Sequence, residues 1–176
     1  LVDGNRVETA TDLTASMSMI DVNDIERVEI IKGAQSSLYG SGAMGGIVDI
    51  ISKTGHFAEK PYFQGNLISG YSSVNSLFNE YLSLGAGSEN WYARINGSYN
   101  KANDVKTPEG PLPNSAFNMN NLGAQFGFKP FKNQTFRFQF QRNWSKDVGI
   151  PGGAAFAPTA EAKYSDISRT LFNASY

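Results

Sequence analysis

Residues 135–144 alternate: one face begins Phe136, Phe138 and Phe140, and Thr135, Arg137, Gln139, Gln141 and Asn143 fall on the other. A period of two sorts side chains only if the backbone is extended. The same pattern recurs at 91–100. There Trp91, Ala93, Ile95, Gly97 and Tyr99 oppose Tyr92, Arg94, Asn96, Ser98 and Asn100. It recurs again at 121–128, where Leu122, Ala124, Phe126 and Phe128 oppose Asn121, Gly123, Gln125 and Gly127. Read this way, residues 57–176 predict six strands, at 62–72, 76–87, 90–101, 117–128, 134–145 and 163–176. Each meets the ~9–11 residues a tilted strand needs to cross a bilayer, with some overhang.

Two architectures share this period. A soluble antiparallel sandwich has one apolar and one wet face, and a transmembrane barrel has an apolar exterior and a polar interior. A soluble wet face usually carries many Lys and Glu. Here it carries Asn, Gln, Ser and Gly, and charged residues make up only 18% of the chain. That favours the barrel. The connections agree with it. Residues 87–90 and 130–133 are short turns, whereas 102–116 and 146–162 are long and rich in Pro and Gly, an asymmetry typical of such barrels. The short turn at 73–75 is the exception. The seven prolines fall in connections or at strand edges, where no ladder donor is lost. Glu80 and Arg142 interrupt the apolar rows and are expected at the outer rim, where a charge costs little.

Composition removes several functions. Fifteen Lys+Arg against sixteen Asp+Glu leave a net charge of -1, with no basic excess to attract nucleic acid. The chain has no Cys and a single His, His56, expected to be an exposed linker residue. Thiolate metal sites and disulfides therefore find no residues, no Ser/His/Asp or metal constellation is visible, and no enzyme, metal or cofactor is expected. Gly40, Gly42 and Gly45 fit a G-x-G-x-x-G string, but β-branched residues follow where a dinucleotide site needs a helix. Backbone reversal is the better use of these glycines.

Residues 1–56 have another texture. Ile25–Ile31 alternates with mixed faces, Gly33 ends it, Ile47–Ser52 is β-branched, and Asp21–Asp24 reads as a turn. Alternation puts Glu26 and Glu29 on opposite faces, which leaves Arg27, Glu29 and Lys32 as structural salt links rather than an acid/base pair. The chain opens at Leu1 and stops within a strand pattern, so the expectation is a piece of a longer protein.

Four motifs in order carry a resemblance: Leu1-Val-Asp-Gly4, Asp24-Ile-Glu-Arg-Val-Glu-Ile-Ile-Lys-Gly33, Leu38-Tyr-Gly-Ser-Gly-Ala-Met-Gly-Gly46 and Ile47-Val-Asp-Ile-Ile-Ser-Lys53. Together they resemble the second half of the plug domain of TonB-dependent outer-membrane receptors. One departure is Asp49, where the family more often has Asn. The resemblance implies a mainly β protein. Residues 1–56 are then the C-terminal part of a plug, and 57–176 the first strands of a plugged 22-stranded transmembrane barrel. It implies a receptor in the outer membrane of a Gram-negative bacterium, importing a scarce ligand such as a ferric siderophore, haem or cobalamin. The partners implied are that ligand, outer-membrane lipid, and a TonB complex acting on a box N-terminal to residue 1.

The glycan-importing branch usually differs at the positions of Lys32–Ser37, so a ferric siderophore or cobalamin is favoured over a glycan. A non-transporting binding or adhesion module is the alternative from another class. Residue by residue, the resemblance puts Arg27, Glu29 and Lys32 in charge pairs against the barrel wall or neighbouring plug strands. Gly33 closes the strand, Tyr39 packs at the turn, and Gly40, Gly42, Gly45 and Gly46 reverse the chain.

Overall fold

The computed structural model describes residues 1–6, 20–33, 45–150 and 163–176. The chain divides into two compact units, Leu1–Thr54 and Gly55–Tyr176. The fold is mainly β and antiparallel, and the helical element described is a single 3-10 turn. Among the described residues no helix is long and apolar enough to cross a membrane, which leaves strands as the elements to consider.

In the first unit the 3-10 turn Val22–Asp24 is capped by Asp21, whose Oδ1 accepts from Asn23 N at 2.8 Å. It leads into β1 (Ile25–Lys32), paired antiparallel with β2 (Gly46–Ser52). Val2, 4% exposed, bridges in parallel to Ile50, so the chain start lies along β2. The Asp3 carboxylate fastens it, accepting from Ser52 N at 2.7 Å and Ser52 Oγ at 2.8 Å. Lys53 closes the other end, its Nζ donating to Asn23 O at 2.8 Å.

The second unit is a six-stranded meander. Its strands are β3 (Tyr62–Ser72), β4 (Leu77–Gly87), β5 (Trp91–Ala102), β8 (Phe117–Phe128), β9 (Phe136–Gly149) and β10 (Lys163–Ser175), adjacent in that order. The predicted strands are all present. The largest boundary change is in β9, which continues to Gly149 because Lys146 and Val148 still find partners in β10. Between β5 and β8 stands a hairpin that the Pro/Gly texture concealed, β6 (Lys106–Thr107) with β7 (Gly110–Pro111). Two-residue strands are too short to leave a periodic signal.

Register turns the separate alternations into two continuous faces. Leu84, Ile95, Ala124, Phe140 and Phe172 pair across one transverse row, and Ala86, Ala93, Phe126, Phe138 and Ala174 across the next. The opposite face has Tyr81, Ser98, Asn121, Asn143 and Arg169 in one such row. Burial is inverted relative to a soluble sheet. Leu67 and Ile95 on the apolar face are 69% and 54% exposed, whereas Arg94 on the polar face is 4% exposed.

Candidate functional site

The hairpin of the first unit holds most of the residues singled out by sequence. Arg27 Nε donates to Glu29 Oε1 at 2.8 Å, and Arg27 Nη1 lies 3.4 Å from Glu26 Oε1. The hydrogen bond to Glu29 is the main reason the Arg27 guanidinium is held above its ordinary pKa. The opposite-face expectation for Glu26 and Glu29 is corrected here: both carboxylates reach one guanidinium. The cause is a register shift between Ile25 and Arg27, which breaks the period of two. All three side chains are about half exposed, so the cluster is worth little as stability. Lys32 stands opposite Gly46 at the far end of the hairpin, without an ion pair among the described residues. It is not part of the Arg27 cluster.

Gly33 (φ +98°) and Gly46 (φ +140°) both occupy backbone that favours glycine, and Gly33 N donates to Gly45 O at 3.4 Å. A Cβ on Gly46 would lie 2.6 Å from Ile31 O, so this glycine is required by space as well as by φ. Gly45 has open space around its Cβ direction. Tyr39, Gly40 and Gly42 lie outside the described residues.

On the polar face of the sheet a ladder crosses the strands. Tyr81, 1% exposed, accepts at its hydroxyl from Arg94 Nη2 at 2.8 Å, and Arg94 Nη1 donates to Asn96 Oδ1 at 3.2 Å. Asn121 Nδ2 donates to Ser98 Oγ at 2.9 Å, while Asn143 Nδ2 donates to Asn121 Oδ1 and Asn79 Nδ2 to Asn100 Oδ1. The buried Ser145 Oγ has no hydrogen-bond partner among the described residues, and water or a polar ligand would satisfy it.

Glycines on this face are seats for larger neighbours. A Cβ on Gly123 would fall 2.4 Å from Asn96 Oδ1, and one on Gly127 2.1 Å from Tyr92 Cε1. Tyr92 is also wedged against Gly55, whose Cβ would come within 2.3 Å of its ring. Gly55 N donates to the buried Gln125 Oε1 at 3.1 Å, and Phe57 packs edge-on to Tyr92 with 4.9 Å between centroids. Lys129 Nζ sits 4.0 Å over the Phe57 ring. Residues 55–58 are therefore fastened at the short-turn end. His56 is exposed between β2 and β3, as expected of a linker residue, and it stacks on Tyr62 at 4.5 Å, with the Tyr62 hydroxyl donating to His56 O at 3.0 Å.

The connection 103–116, long and rich in Pro and Gly, is tied down. Asp104 Oδ1 accepts from Ser115 N at 2.8 Å and Ala116 N at 2.9 Å. Asn103 N and Lys106 N donate to Asn75 O and Val74 O, each at 2.8 Å, and Gly149 N donates to Ala116 O at 2.9 Å. A connection that satisfies its backbone groups in this way has little reason to open. Asp3 and Asp104 were missed by sequence reasoning, since a lone Asp next to Gly or Asn looks like ordinary turn composition. Among the described residues no group of three His, Asp or Glu could hold a metal ion.

On the apolar face, Glu80 accepts from Ser69 Oγ at 2.5 Å within the row Ser69–Glu80–Tyr99–Asn120–Trp144. Arg142 lies one row further in than its expected rim position, opposite Leu122, and reaches back to 5.9 Å from the Trp144 ring. A long stem lets the guanidinium approach the polar row while its methylenes cover apolar surface.

Comparison with known proteins decides the family. The TonB-dependent Receptor Plug Domain model matches residues 1–47. The chain is also 30% identical over 177 residues to the rhizobactin receptor of Rhizobium meliloti (strain 1021), covering 92% of this chain and 24% of that one. This chain belongs to the TonB-dependent receptors.

Other relatives of this TonB-dependent receptor chain include the ferric aerobactin receptor of Klebsiella pneumoniae, 33% identical over 57% of this chain and 14% of that one. The vitamin B12 transporter BtuB of Vibrio cholerae (strain ATCC 39541 / Classical Ogawa 395 / O395) is 34% identical over 49% of this chain and 13% of that one. These relatives are named as receptors and transporters, not as enzymes. The fold is shared with the copper transporter OprC, at TM-score 0.72 and 22% identity over 83% of this chain and 23% of that one. It is shared also with the ferric enterobactin receptor PfeA, at 0.64 and 18% over 98% of this chain and 29% of that one. The chain spans between 13% and 24% of the length of these three curated relatives.

Proposed function

We propose that the chain is part of an outer-membrane receptor that imports a scarce small-molecule ligand, with a ferric siderophore or cobalamin as the cargo and TonB as the source of energy. In this reading residues 1–56 are the C-terminal part of the plug, and residues 57–176 are the first strands of the barrel. The observation that carries it is the inverted sheet, with apolar rows exposed on one face and Arg94, Asn96, Asn121 and Asn143 buried on the other. Such a face is a liability in water and an advantage against hydrocarbon.

The dimensions support it. From Phe136 to Trp144 a strand rising ~3.4 Å per residue covers about 27 Å, which a tilt of ~40° reduces to about 21 Å. That approaches the ~25 Å apolar band of outer-membrane barrels. Aromatics flank the band, with Trp91, Phe128 and Phe136 at the short-turn end and Tyr99 and Trp144 toward the long loops. The names of the relatives, a rhizobactin receptor, an aerobactin receptor and a B12 transporter, support the choice of cargo.

Within the plug part, Arg27 with Glu29 and Glu26 forms the half-exposed, polar kind of contact that rearranges at low cost. That suits a plug that must hold and then shift. Lys32, Gly33, Gly45 and Gly46 shape the hairpin end, and Tyr39, Gly40 and Gly42 are assigned to its reversal by family resemblance.

Two measurements on the full-length receptor test the proposal. Cysteines at 136 and 138 should react with a lipid-soluble probe and those at 137 and 139 with a water-soluble one; the reverse pattern refutes the membrane register. Cells lacking other receptors should take up ferric rhizobactin, ferric aerobactin or cobalamin only when the receptor and TonB are both present. Uptake without TonB refutes the energy coupling.

A further inference from the structure

The boundary between the two compact units falls between Thr54 and Gly55, and the chain is fastened from the very next residue. Gly55 N donates to Gln125 Oε1 on β8, Phe57 packs edge-on to Tyr92 on β5, and Ala58 N donates at 3.0 Å to Ser88 O, in the turn between β4 and β5. Lys129, just past β8, holds its Nζ over the Phe57 ring. Four consecutive residues thus reach two interior strands and a turn. Connecting segments are usually the loosely held part of a fold.

Glycines are shaped around this stretch. Gly55 and Gly127 grip two edges of the Tyr92 ring, which is 5% exposed. A Cβ on Gly87 would lie 2.7 Å from Tyr62 Cε1 and 3.0 Å from His56 O. A connection that had only to span a gap would need none of these fits.

The fastening also has a direction. Past Ala58, the exposed Glu59, Lys60 and Pro61 lead to Tyr62 at the start of β3, the end strand of this sheet. Were residues 55–58 free, a pull on the chain before Gly55 would run along the backbone to Tyr62 and load β3 by itself. As the chain is folded, the pull meets Gln125, Tyr92 and Ser88 first. It is divided among β5, β8 and the β4–β5 turn, each held by a neighbour on both sides.

We propose that residues 55–58 are a clasp at which the tension of transport ends, sparing the first barrel strand, with Gln125 and Tyr92 as its positioning residues. This role rests on the reading of the chain as part of a receptor driven through TonB, and it adds where that pull stops. Residues before Gly55 can shift or extend under load, while the chain from Gly55 onward keeps its place on the sheet.

Single-molecule force spectroscopy on the full-length receptor in a lipid bilayer tests the clasp, with the pull applied at the N-terminus. Each point of resistance is a force peak whose contour length counts the residues already extended. Wild type should show a peak once the chain up to Thr54 is extended. Phe57→Ala with Gln125→Ala should move that peak from Gly55 to Tyr62, about 24 Å of extended chain at ~3.4 Å per residue. The later peaks, from the strand hairpins, should keep their positions. Asn143→Ala, on the same polar face but outside the clasp, should leave the peak at Gly55.

A wild-type peak at Tyr62 with none at Gly55 refutes the clasp, whether or not the double variant folds. An unmoved peak in the double variant refutes the roles of Phe57 and Gln125. The measurement involves neither ligand nor TonB, so it stands apart from the energy coupling. A peak at Gly55 in a receptor whose uptake needs no TonB refutes the role in transport and not the clasp.

Discussion

Glycine to alanine is the smallest change that tests how the two faces are packed, and Gly127 on the polar face and Gly97 on the apolar face, five register rows apart, should respond with opposite sign. At Gly127 the added Cβ falls 2.1 Å from Tyr92 Cε1 and 2.5 Å from Cζ. The ring cannot retreat, because Gly55 holds its other edge with a Cβ direction only 2.3 Å from Cδ2. Overpacking of this kind costs about 1–3 kcal/mol, and a ring wedged on both edges belongs at the upper end. At Gly97 the new methyl meets the open groove between Leu82 and Leu122, so the substitution recovers the entropy a glycine loses in a strand, about 0.5–1 kcal/mol. The two variants of the full-length receptor should therefore differ by about 1.5–4 kcal/mol. Urea midpoints in detergent, read by the electrophoretic shift between folded and unfolded barrel, measure the difference. Shortening Tyr92 to Ala should remove most of the Gly127→Ala penalty, a coupling of about 0.5–3 kcal/mol for residues in contact. The reasoning fails if Gly127→Ala and Gly97→Ala are equally stable, or if the penalty survives the loss of the Tyr92 ring.

Gly46→Val places a Cβ 2.6 Å from Ile31 O at φ +140°, a strain of about 1–3 kcal/mol, and should abolish ligand uptake while barrel insertion is retained. Normal uptake by that variant would show that the hairpin end tolerates another backbone. Asp104→Ala leaves Ser115 N and Ala116 N without their carboxylate, costs about 1–3 kcal/mol locally, and should expose residues 103–116 to protease on intact cells while the strands stay protected. An epitope tag beside Glu109, in the turn between β6 and β7, should bind antibody on intact cells; binding only after permeabilisation would invert the topology.

Sequence texture alone specified the six long strands, and alternation gave both faces of the three at 91–100, 121–128 and 135–144. Strand formation follows from a period of two, and one apolar face must be hidden from water whatever the neighbours are. The four plug motifs likewise pointed to the family, because their order and spacing are local properties of the chain. Other features depended on residues distant in sequence. Register joined Gly97 to Leu82 and Leu122 and thereby made a groove from three unrelated strands. It also set Arg142 one row deeper than its strand position suggested.

A bulge at Glu26 undid the face assignment of that glutamate relative to Arg27 and Glu29, since one inserted residue shifts parity across it. Asp104 became an anchor only because the chain returns at Ser115, and Gly55 and Gly127 became obligatory only because Tyr92 lies between them. Periodicity is written in neighbouring residues and can be read from them. Which side chain fills which space is settled by chain segments that meet only after folding, and no local pattern encodes that meeting.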